Sequence, residues 1–232
     1  MGALSESRRF FVAQCVASGL HALVSGPVAT YVMYQLLFSG DYPVEACPAQ
    51  PNAGTVRAPP LAVWVTGFTC GYFVYDSLVM AVYAKYCEEE MGKSGTLLMW
   101  IHHVISVIVW PYCIASDRAV MFVGFFLFTE LTNIGQAIFL IINKGKIGGS
   151  TAEGIVGGSW ALSFFLTRIV TIPWLLMLYY STILSPGCMN VPDRLLGFFT
   201  VPMPIGLNVY WFMLIVRKAR RMLAPSKPKA VQ

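Results

Sequence analysis

The chain has 232 residues, of which 56% are hydrophobic and only 12% are charged, and its net charge is +5. Soluble globular domains carry about a quarter charged residues, so this composition argues against a soluble fold and indicates a membrane protein. Alternation of hydrophobic and polar residues with a period of two is absent, which argues against a transmembrane β-barrel. Backbone polar groups in lipid must be satisfied within the protein, and this leaves a bundle of helices.

Six runs of sequence are long and apolar enough to cross a bilayer, which takes about 20 mostly apolar residues in a helix. They cover residues 10–38, 61–84, 97–115, 119–143, 156–184 and 195–217. The first run follows Arg8 and Arg9 as a secretory signal would, but it exceeds the apolar core of about 7–15 residues in such signals. We therefore predict an all-α, polytopic membrane protein with about six transmembrane helices. The first helix is retained, with a kink at Gly26-Pro27.

The segments between these runs differ strongly in charge. Six spans place both chain ends on one side, which then carries 12 of the 16 Lys and Arg residues; 3 lie on the other side and Arg168 lies inside a span. Basic residues of short loops stay in the cytosol, so both termini are predicted to be cytosolic. The predicted transmembrane domain covers 10–218, between a cytosolic segment at 1–9 and a basic tail at 219–232. Residues 85–96 and 144–155 are predicted as cytosolic connections.

The basic tail has two interpretations. It could contact anionic lipid headgroups, but we favour a simple topology signal. Nothing in the charge pattern indicates nucleic-acid binding.

Ionisable residues inside the predicted spans are the strongest functional signal. Such residues are rare in the hydrocarbon unless they face a cavity, pair with one another or carry function. At 1.5 Å of rise per residue, their distances from the cytosolic ends are about 8–9 Å for His102 and His103, and about 12 Å for Asp76. Asn133, Arg168 and Glu130 follow at about 15 to 20 Å by the same count. This clustering predicts one polar site in a cavity open to the cytosolic leaflet.

Each of these residues also has a purely structural interpretation. Neighbours on a helix point about 100° apart, so His102 and His103 cannot both face one point. Asp76 could orient a histidine, as a carboxylate does in catalytic triads, or it could bond Tyr72 or Tyr75 instead.

Structural alternatives also exist for the other polar residues, namely Glu130, Asn133, Arg168 and His21. Glu130 shares a helix face with Asn133 and could form a buried ion pair with Arg168, which would not exclude a substrate role. His21 stands alone in the first span and is predicted to be a packed core histidine. Adjacent histidines do not match the His-x-x-x-His spacing of zinc ligands on a helix, so no metal site is predicted.

Four segments in consecutive spans together resemble the TLC family, named for the TRAM, Lag and CLN proteins. They are GYFVYD at 71–76, WIHHVIS at 100–106, FTELTN at 128–133 and FFLTR at 164–168, and their order and spacing match. The resemblance implies a multipass protein of the endoplasmic reticulum or another endomembrane that acts in lipid metabolism. Some members are ceramide synthases, which acylate a sphingoid amine from acyl-CoA, and their histidine pair corresponds to His102 and His103.

One segment departs from the ceramide synthase pattern. Those enzymes continue with His-Asp-x-x-Asp in the following span, where this chain has TELTN at 129–133. Ceramide synthesis is therefore not implied, and the closer resemblance is to the small TLC-domain-containing proteins. That group includes lipid acyl transferases and regulators of phospholipid composition.

Two functional hypotheses follow. The first is an intramembrane acyltransferase or transacylase with His102, His103 and Asp76 as catalytic residues, since a neutral imidazole can act as base or nucleophile. Its substrate-binding residues are Glu130, Asn133 and Arg168, where Arg168 or Asn133 stabilises an oxyanion or binds a phosphate. No cofactor is expected, and acyl-CoA or a lipid acyl donor would be a substrate.

The second hypothesis is a non-catalytic, lipid-binding regulator. A transporter is disfavoured because no inverted repeat is visible.

The cysteines divide by predicted compartment. Cys15, Cys70, Cys87 and Cys113 lie in or beside spans and are interpreted as small apolar residues. Cys47 and Cys188 fall in non-cytosolic loops, and the lumen of the endoplasmic reticulum is oxidising. We predict a Cys47–Cys188 disulfide, with two free thiols as the alternative.

Overall fold

The computed structural model describes residues 4–41, 57–147, 149–185 and 189–223, and its regular elements there are all helical. They are α1 (Glu6–Phe38), α2 (Pro60–Val82), α3 (Ala84–Ala115), α4 (Val120–Phe128), α5 (Leu131–Gly145), α6 (Gly149–Phe164), α7 (Ile172–Tyr179), α8 (Val191–Thr200) and α9 (Pro202–Leu223). Two π-helical turns, Phe165–Ile169 and Tyr180–Leu184, flank α7.

These helices form six segments that are long and apolar enough to span a membrane. Three are single helices, α1 to α3, and three are composite: Val120–Gly145, Gly149–Leu184 and Val191–Arg221. The predicted all-α polytopic bundle is thus confirmed. Local capping fixes two of the starts, because Ser5 Oγ accepts from the backbone N–H of Arg8 and Asn190 accepts from that of Asp193. Such caps satisfy amides that the first turn of a helix leaves unpaired.

The connections differ from the prediction in two places. Residues 85–96, predicted as a loop, are helical except at Gly92, whose φ of 75° divides α3 into a short first piece and a spanning piece. Glycine tolerates positive φ without steric cost, and the Glu, Met and Lys residues around it favour helix. The connection after α5 is shorter than 144–155, because α5 continues to Gly145 and α6 begins at Gly149. At Pro27, α1 continues as one helix.

Polar contacts between helix ends define one end of the bundle. Tyr86 Oη donates to Glu6 at 3.0 Å, which joins the beginnings of α1 and α3. Lys144 Nζ donates to Glu90 Oε2 at 2.8 Å, which adds the last turn of α5. We call this the basic end, because most of the Lys and Arg residues that the structure describes lie there.

A second set of contacts lies at the opposite end. The backbone N–H of Ala58 donates to Asp117 Oδ1 at 2.7 Å, just before α2 and just after α3. Arg118 Nε lies 3.3 Å from Asp193 Oδ2, which joins the α3–α4 connection to α8. These contacts join the segment before α2, the α3–α4 connection and the first turn of α8 at the opposite end.

Close packing of α1 on α5 positions the residues between them. A Cβ added at Gly26 would lie 2.8 Å from Leu131 Cα, and one at Gly19 would lie 3.0 Å from the Cβ of Ala137. Small residues allow membrane helices to approach this closely. This approach brings α1 against the α4–α5 junction, where the intramembrane residues Glu130 and Asn133 lie.

The four cysteines in or beside the spans are buried free thiols, namely Cys15, Cys70, Cys87 and Cys113. Cys47 and Cys188 lie outside the described residues, so their disulfide stays a prediction.

Candidate functional site

Asp76 on α2 faces a histidine, and that histidine is His103 on α3. Asp76 Oδ2 lies 3.7 Å from His103 Nδ1, and Ser77 Oγ lies 3.4 Å from the same nitrogen. The His103 ring stacks on Phe73 with a centroid distance of 4.5 Å, and the residue is only 2% exposed. Both roles open to Asp76 in the sequence are therefore realised: it contacts the buried member of the histidine pair, and it is also hydrogen-bonded to Tyr72.

His102 points in another direction, as adjacent helix positions require. Its ring meets Trp211 of α9 edge-on at a centroid distance of 6.0 Å and Phe73 at 5.3 Å. Within the part of the chain that the structure describes, His102 has no hydrogen-bond partner. It lines a cavity instead.

This cavity is slim, about 40 Å³, and mostly apolar. From His102 it follows one face of α3 past Ser106 and Val109 to Tyr112. Its other walls come from α4, the second π-helical turn, α8 and the start of α9 through Phe122, Val123, Phe126, Ile183, Leu196, Gly197, Thr200, Met203 and Pro204. We call it the His102 cavity.

The His102 cavity extends toward the opposite end of the bundle, whereas the sequence predicts a cavity toward the basic end. The position of a residue along its helix predicts how deep its side chain lies in the bilayer. It does not predict toward which end of the bundle a neighbouring cavity extends. The space arises because Ser106, Val109 and Cys113, all small or medium in size, follow His102 on one face of α3. The prediction that the cavity opens to the cytosolic leaflet is thus not met by this cavity.

A cluster of three polar side chains closes the far end of the cavity. Asp193 accepts from Tyr112 Oη at 2.7 Å and pairs with Arg118 Nε at 3.3 Å. Arg118 lies between Asp117 and Ala119, which both have a left-handed backbone with φ of 53° and 50°. Such conformations are uncommon for residues other than glycine. Arg118 Nη1 is buried without a hydrogen-bond partner among the described residues.

Arg118 and Asp193 were not candidates in the sequence. Arg118 was counted there only among the three basic residues of the non-cytosolic side, and no motif linked it to Asp193, which precedes the last predicted span at 195–217. The available signal was the opposite charge of two residues in connections that the sequence predicts on the same side of the membrane.

Arg168 is placed by the first π-helical turn and is 5% exposed. Its Nε donates to Thr132 Oγ1 at 2.9 Å, and its Nη1 donates to Asn208 Oδ1 at 3.1 Å. Its Nη2 donates to the carbonyl of Thr129 at 2.7 Å and to Asn133 Oδ1 at 3.0 Å. These bonds use four of the five guanidinium N–H groups and join the α4–α5 junction to α9. Arg168 therefore holds three spans together, and with one N–H left it could bind a phosphate in a bidentate manner only by breaking one of these bonds.

Glu130 contacts Arg168 through Asn133. Asn133 Nδ2 donates to Glu130 Oε2 at 2.8 Å while its Oδ1 accepts from Arg168. Among the described residues, no ion pair within 4.0 Å joins Glu130 to Arg168, so the direct pair expected from their depths is replaced by an amide bridge. The Glu130 carboxylate lies nearer to His21, with 3.9 Å between Oε2 and Nδ1.

His21 is packed, as predicted, and is also part of this polar group. It is 4% exposed and stacks on Tyr72 at a centroid distance of 4.2 Å. Its Nε2 lies 3.2 Å from Thr69 Oγ1. We call His21, Thr69, Glu130, Asn133 and Arg168 the inner polar cluster. The intramembrane polar residues thus divide into this cluster, the Asp76–His103 pair and the His102 cavity.

Comparison with known proteins gives consistent matches. A family model described as the TLC domain of TRAM, LAG1 and CLN8 matches residues 12–217. TLC domain-containing protein 4 of Xenopus tropicalis is 28% identical over 214 residues, which cover 88% of this chain and 73% of that protein. TLC domain-containing protein 4-A of Xenopus laevis is 27% identical over 207 residues, covering 85% and 70%. No solved structure matches the chain.

Proposed function

This chain belongs to the TLC-domain family, and from that premise we propose that it is an acyltransferase or transacylase of membrane lipid metabolism, with His102 as the reacting group. One observation carries the proposal: an intramembrane imidazole without a hydrogen-bond partner among the described residues lines an apolar cavity. Leaving an imidazole unpaired in such surroundings is costly, which favours retention for function.

The length of the cavity along α3 suits one acyl chain. His102 lies about 20 Å from the end of α3, at 1.5 Å of rise per residue. One leaflet of a bilayer is about 15 Å of hydrocarbon, so a single acyl chain has a comparable length. At about 40 Å³ the cavity is far smaller than an acyl chain, so its walls must separate to admit one chain and leave no room for a second. We infer that the acyl carbonyl lies at His102 and the methyl end points toward Tyr112 and Arg118.

The proposed chemistry uses a neutral imidazole as nucleophile. A ring nitrogen of His102 attacks the acyl carbonyl, a carbon–nitrogen bond forms, and the bond to the thiol or alcohol of the donor breaks. The proton from the other ring nitrogen leaves with that thiol or alcohol. The hydroxyl or amine of an acceptor lipid then attacks the acyl-imidazole, takes the acyl group and returns a proton to His102. Asp76 and His103 act as a positioning pair that fixes α3 against α2.

The second candidate is a lipid-binding regulator without transfer chemistry. Asp76 contacts His103 rather than His102. The oxyanion donors considered from the sequence, Arg168 and Asn133, are bonded to each other. Under this alternative, the cavity binds an acyl chain and the inner polar cluster only stabilises the bundle.

The chain length that the cavity accepts tests the proposed substrate position. Val109 lines the cavity about 10 Å beyond His102, so Val109→Phe should restrict it to short chains. We expect mass spectrometry of the lipid products to show a shift toward shorter acyl chains. The matched control is Ile108→Phe, because Ile108 is 66% exposed on the outer face of α3. An unchanged chain distribution in Val109→Phe, or an equal shift in Ile108→Phe, would place the acyl chain elsewhere.

We propose that the protein resides in the endoplasmic reticulum or another endomembrane, with the basic end in the cytosol. The support is the excess of Lys and Arg at that end. An N-glycosylation acceptor inserted within residues 39–60 should then be glycosylated in cells, whereas one appended after residue 232 should not. Glycosylation only of the appended acceptor would invert this topology.

A further inference from the structure

Three cations of α9 share a cleft at the basic end of the bundle. Arg217, Lys218 and Arg221 line it together with Asn143 of α5 and Glu153 of α6. Their spacing places them on one face of α9, which also carries the apolar Leu214 one turn earlier. The cleft has a volume of about 490 Å³, far larger than the His102 cavity.

Lys218 is fixed at the inner wall of this cleft. Its Nζ donates to Asn143 Oδ1 at 3.1 Å and lies 4.3 Å from the ring centroid of Phe139. Asn143 is itself held, because its Nδ2 donates to Glu153 Oε1. A lysine ammonium has three donors, so at least one remains for a ligand. Lys218 thus presents a positioned positive charge.

The cleft is unbalanced in charge. Glu153 is the one carboxylate among its lining residues and faces three cations. Arg217 and Arg221 are exposed and make no hydrogen bond or ion pair with any residue that the structure describes. Like charges at positions i and i+4 of a helix repel each other. An anion held between the two guanidinium groups would remove this repulsion.

We propose that the cleft binds the anionic headgroup of a membrane phospholipid, with its phosphate between Arg217 and Arg221 and within reach of Lys218. Guanidinium groups bind phosphate oxygens in a bidentate manner. The cleft lies at the end of a span, where headgroups lie, and the exposed Leu214 in its lining suits an acyl chain. Basic pockets between transmembrane helices are known headgroup sites. This site is separate from the His102 cavity and does not depend on the proposed acyl transfer.

The test is lipid binding by the purified full chain in neutral detergent, measured by native mass spectrometry. The probes are dioctanoyl phosphatidylinositol, dioctanoyl phosphatidylcholine and inorganic phosphate at one ionic strength. We expect phosphatidylinositol to bind more tightly than phosphatidylcholine. The double variant Arg217→Gln/Arg221→Gln should weaken phosphatidylinositol binding about 10- to 30-fold. Arg220→Gln is the matched control, because Arg220 is exposed on the same helix but does not line the cleft.

A charge-conserving variant separates loss of binding from loss of fold. Arg217→Lys/Arg221→Lys should retain phosphatidylinositol binding within about threefold. If the double Gln variant does not fold, the single variants Arg217→Gln and Lys218→Gln should each weaken binding about fivefold. Equal binding of the two lipids, an equal loss in Arg220→Gln, or competition by inorganic phosphate at concentrations comparable to the lipid would overturn the proposal.

Discussion

Replacing His102 with alanine is expected to abolish acyl transfer while the protein stays folded. His102 has no hydrogen-bond partner among the described residues, so the replacement leaves no buried group unpaired. The imidazole would be lost both as nucleophile and as proton carrier, and proton transfer alone contributes about 10²- to 10⁴-fold in rate. The measurement is the lipid composition of membranes from cells that express equal amounts of folded wild type and variant.

His103→Ala is the informative comparison. It removes the group that Asp76 faces at 3.7 Å and leaves a largely buried carboxylate without that partner. We expect lower stability and yield, with activity per folded molecule reduced less than in His102→Ala. Full activity of His102→Ala at wild-type yield would exclude His102 as the reacting group and favour the regulator.

Replacing Arg168 is expected to have the largest effect on stability. Arg168→Met leaves the side chains of Thr132, Asn133 and Asn208 and the carbonyl of Thr129 without their donor. Each of the three side-chain acceptors left unpaired costs about 1–3 kcal/mol, whereas the Thr129 carbonyl keeps its bond from Thr132, so we expect a total loss of at least about 3 kcal/mol. Arg168→Lys should recover only part of this, because one ammonium cannot reproduce the guanidinium fork. Thermal unfolding in detergent measures both losses.

The control for charge removal is Arg220→Met, since Arg220 is exposed at the basic end. A double-mutant cycle of Arg168→Met with Asn133→Leu should be clearly non-additive, because the two side chains bond directly. Additive losses, or an Arg168→Met variant as stable as Arg220→Met, would contradict the role of Arg168 as the link between three spans.

The six spans could be predicted from the sequence because length and hydropathy are sufficient to define a membrane helix. The family resemblance from four short segments is also confirmed by the match over residues 12–217. Hydropathy does not show breaks within a helical segment. The turn at Gly92 and the two π-helical turns therefore emerge only from the structure.

The site was only partly predictable, since rotation about each helix axis cannot be read from depth. The sequence predicts that Asp76 lies near a histidine, but it does not indicate whether that histidine is His102 or His103. The sequence also predicts Glu130 and Arg168 at similar depth. In the structure they do not pair directly, because the Asn133 side chain bonds to both.

His21 shows the limit of local sequence information. Its contacts with Thr69 and Glu130 come from helices far along the chain, so no local pattern reveals them. The direction of the His102 cavity has the same origin, because it depends on how α4 and α8 pack against α3.

Photo-crosslinking with a fatty acid that carries a diazirine near its methyl end tests the central proposal most directly. The proposal is that the His102 cavity holds one acyl chain with its methyl end toward Tyr112 and Arg118. Cells that incorporate the probe into their lipids would be irradiated, and the crosslinked peptides of the purified protein would be identified. We expect labels on residues 112–123 and on α8, and their loss in Val109→Phe but not in Ile108→Phe. Labels that are confined to the outer faces of the helices and are equal in both variants would contradict the proposed position of the acyl chain.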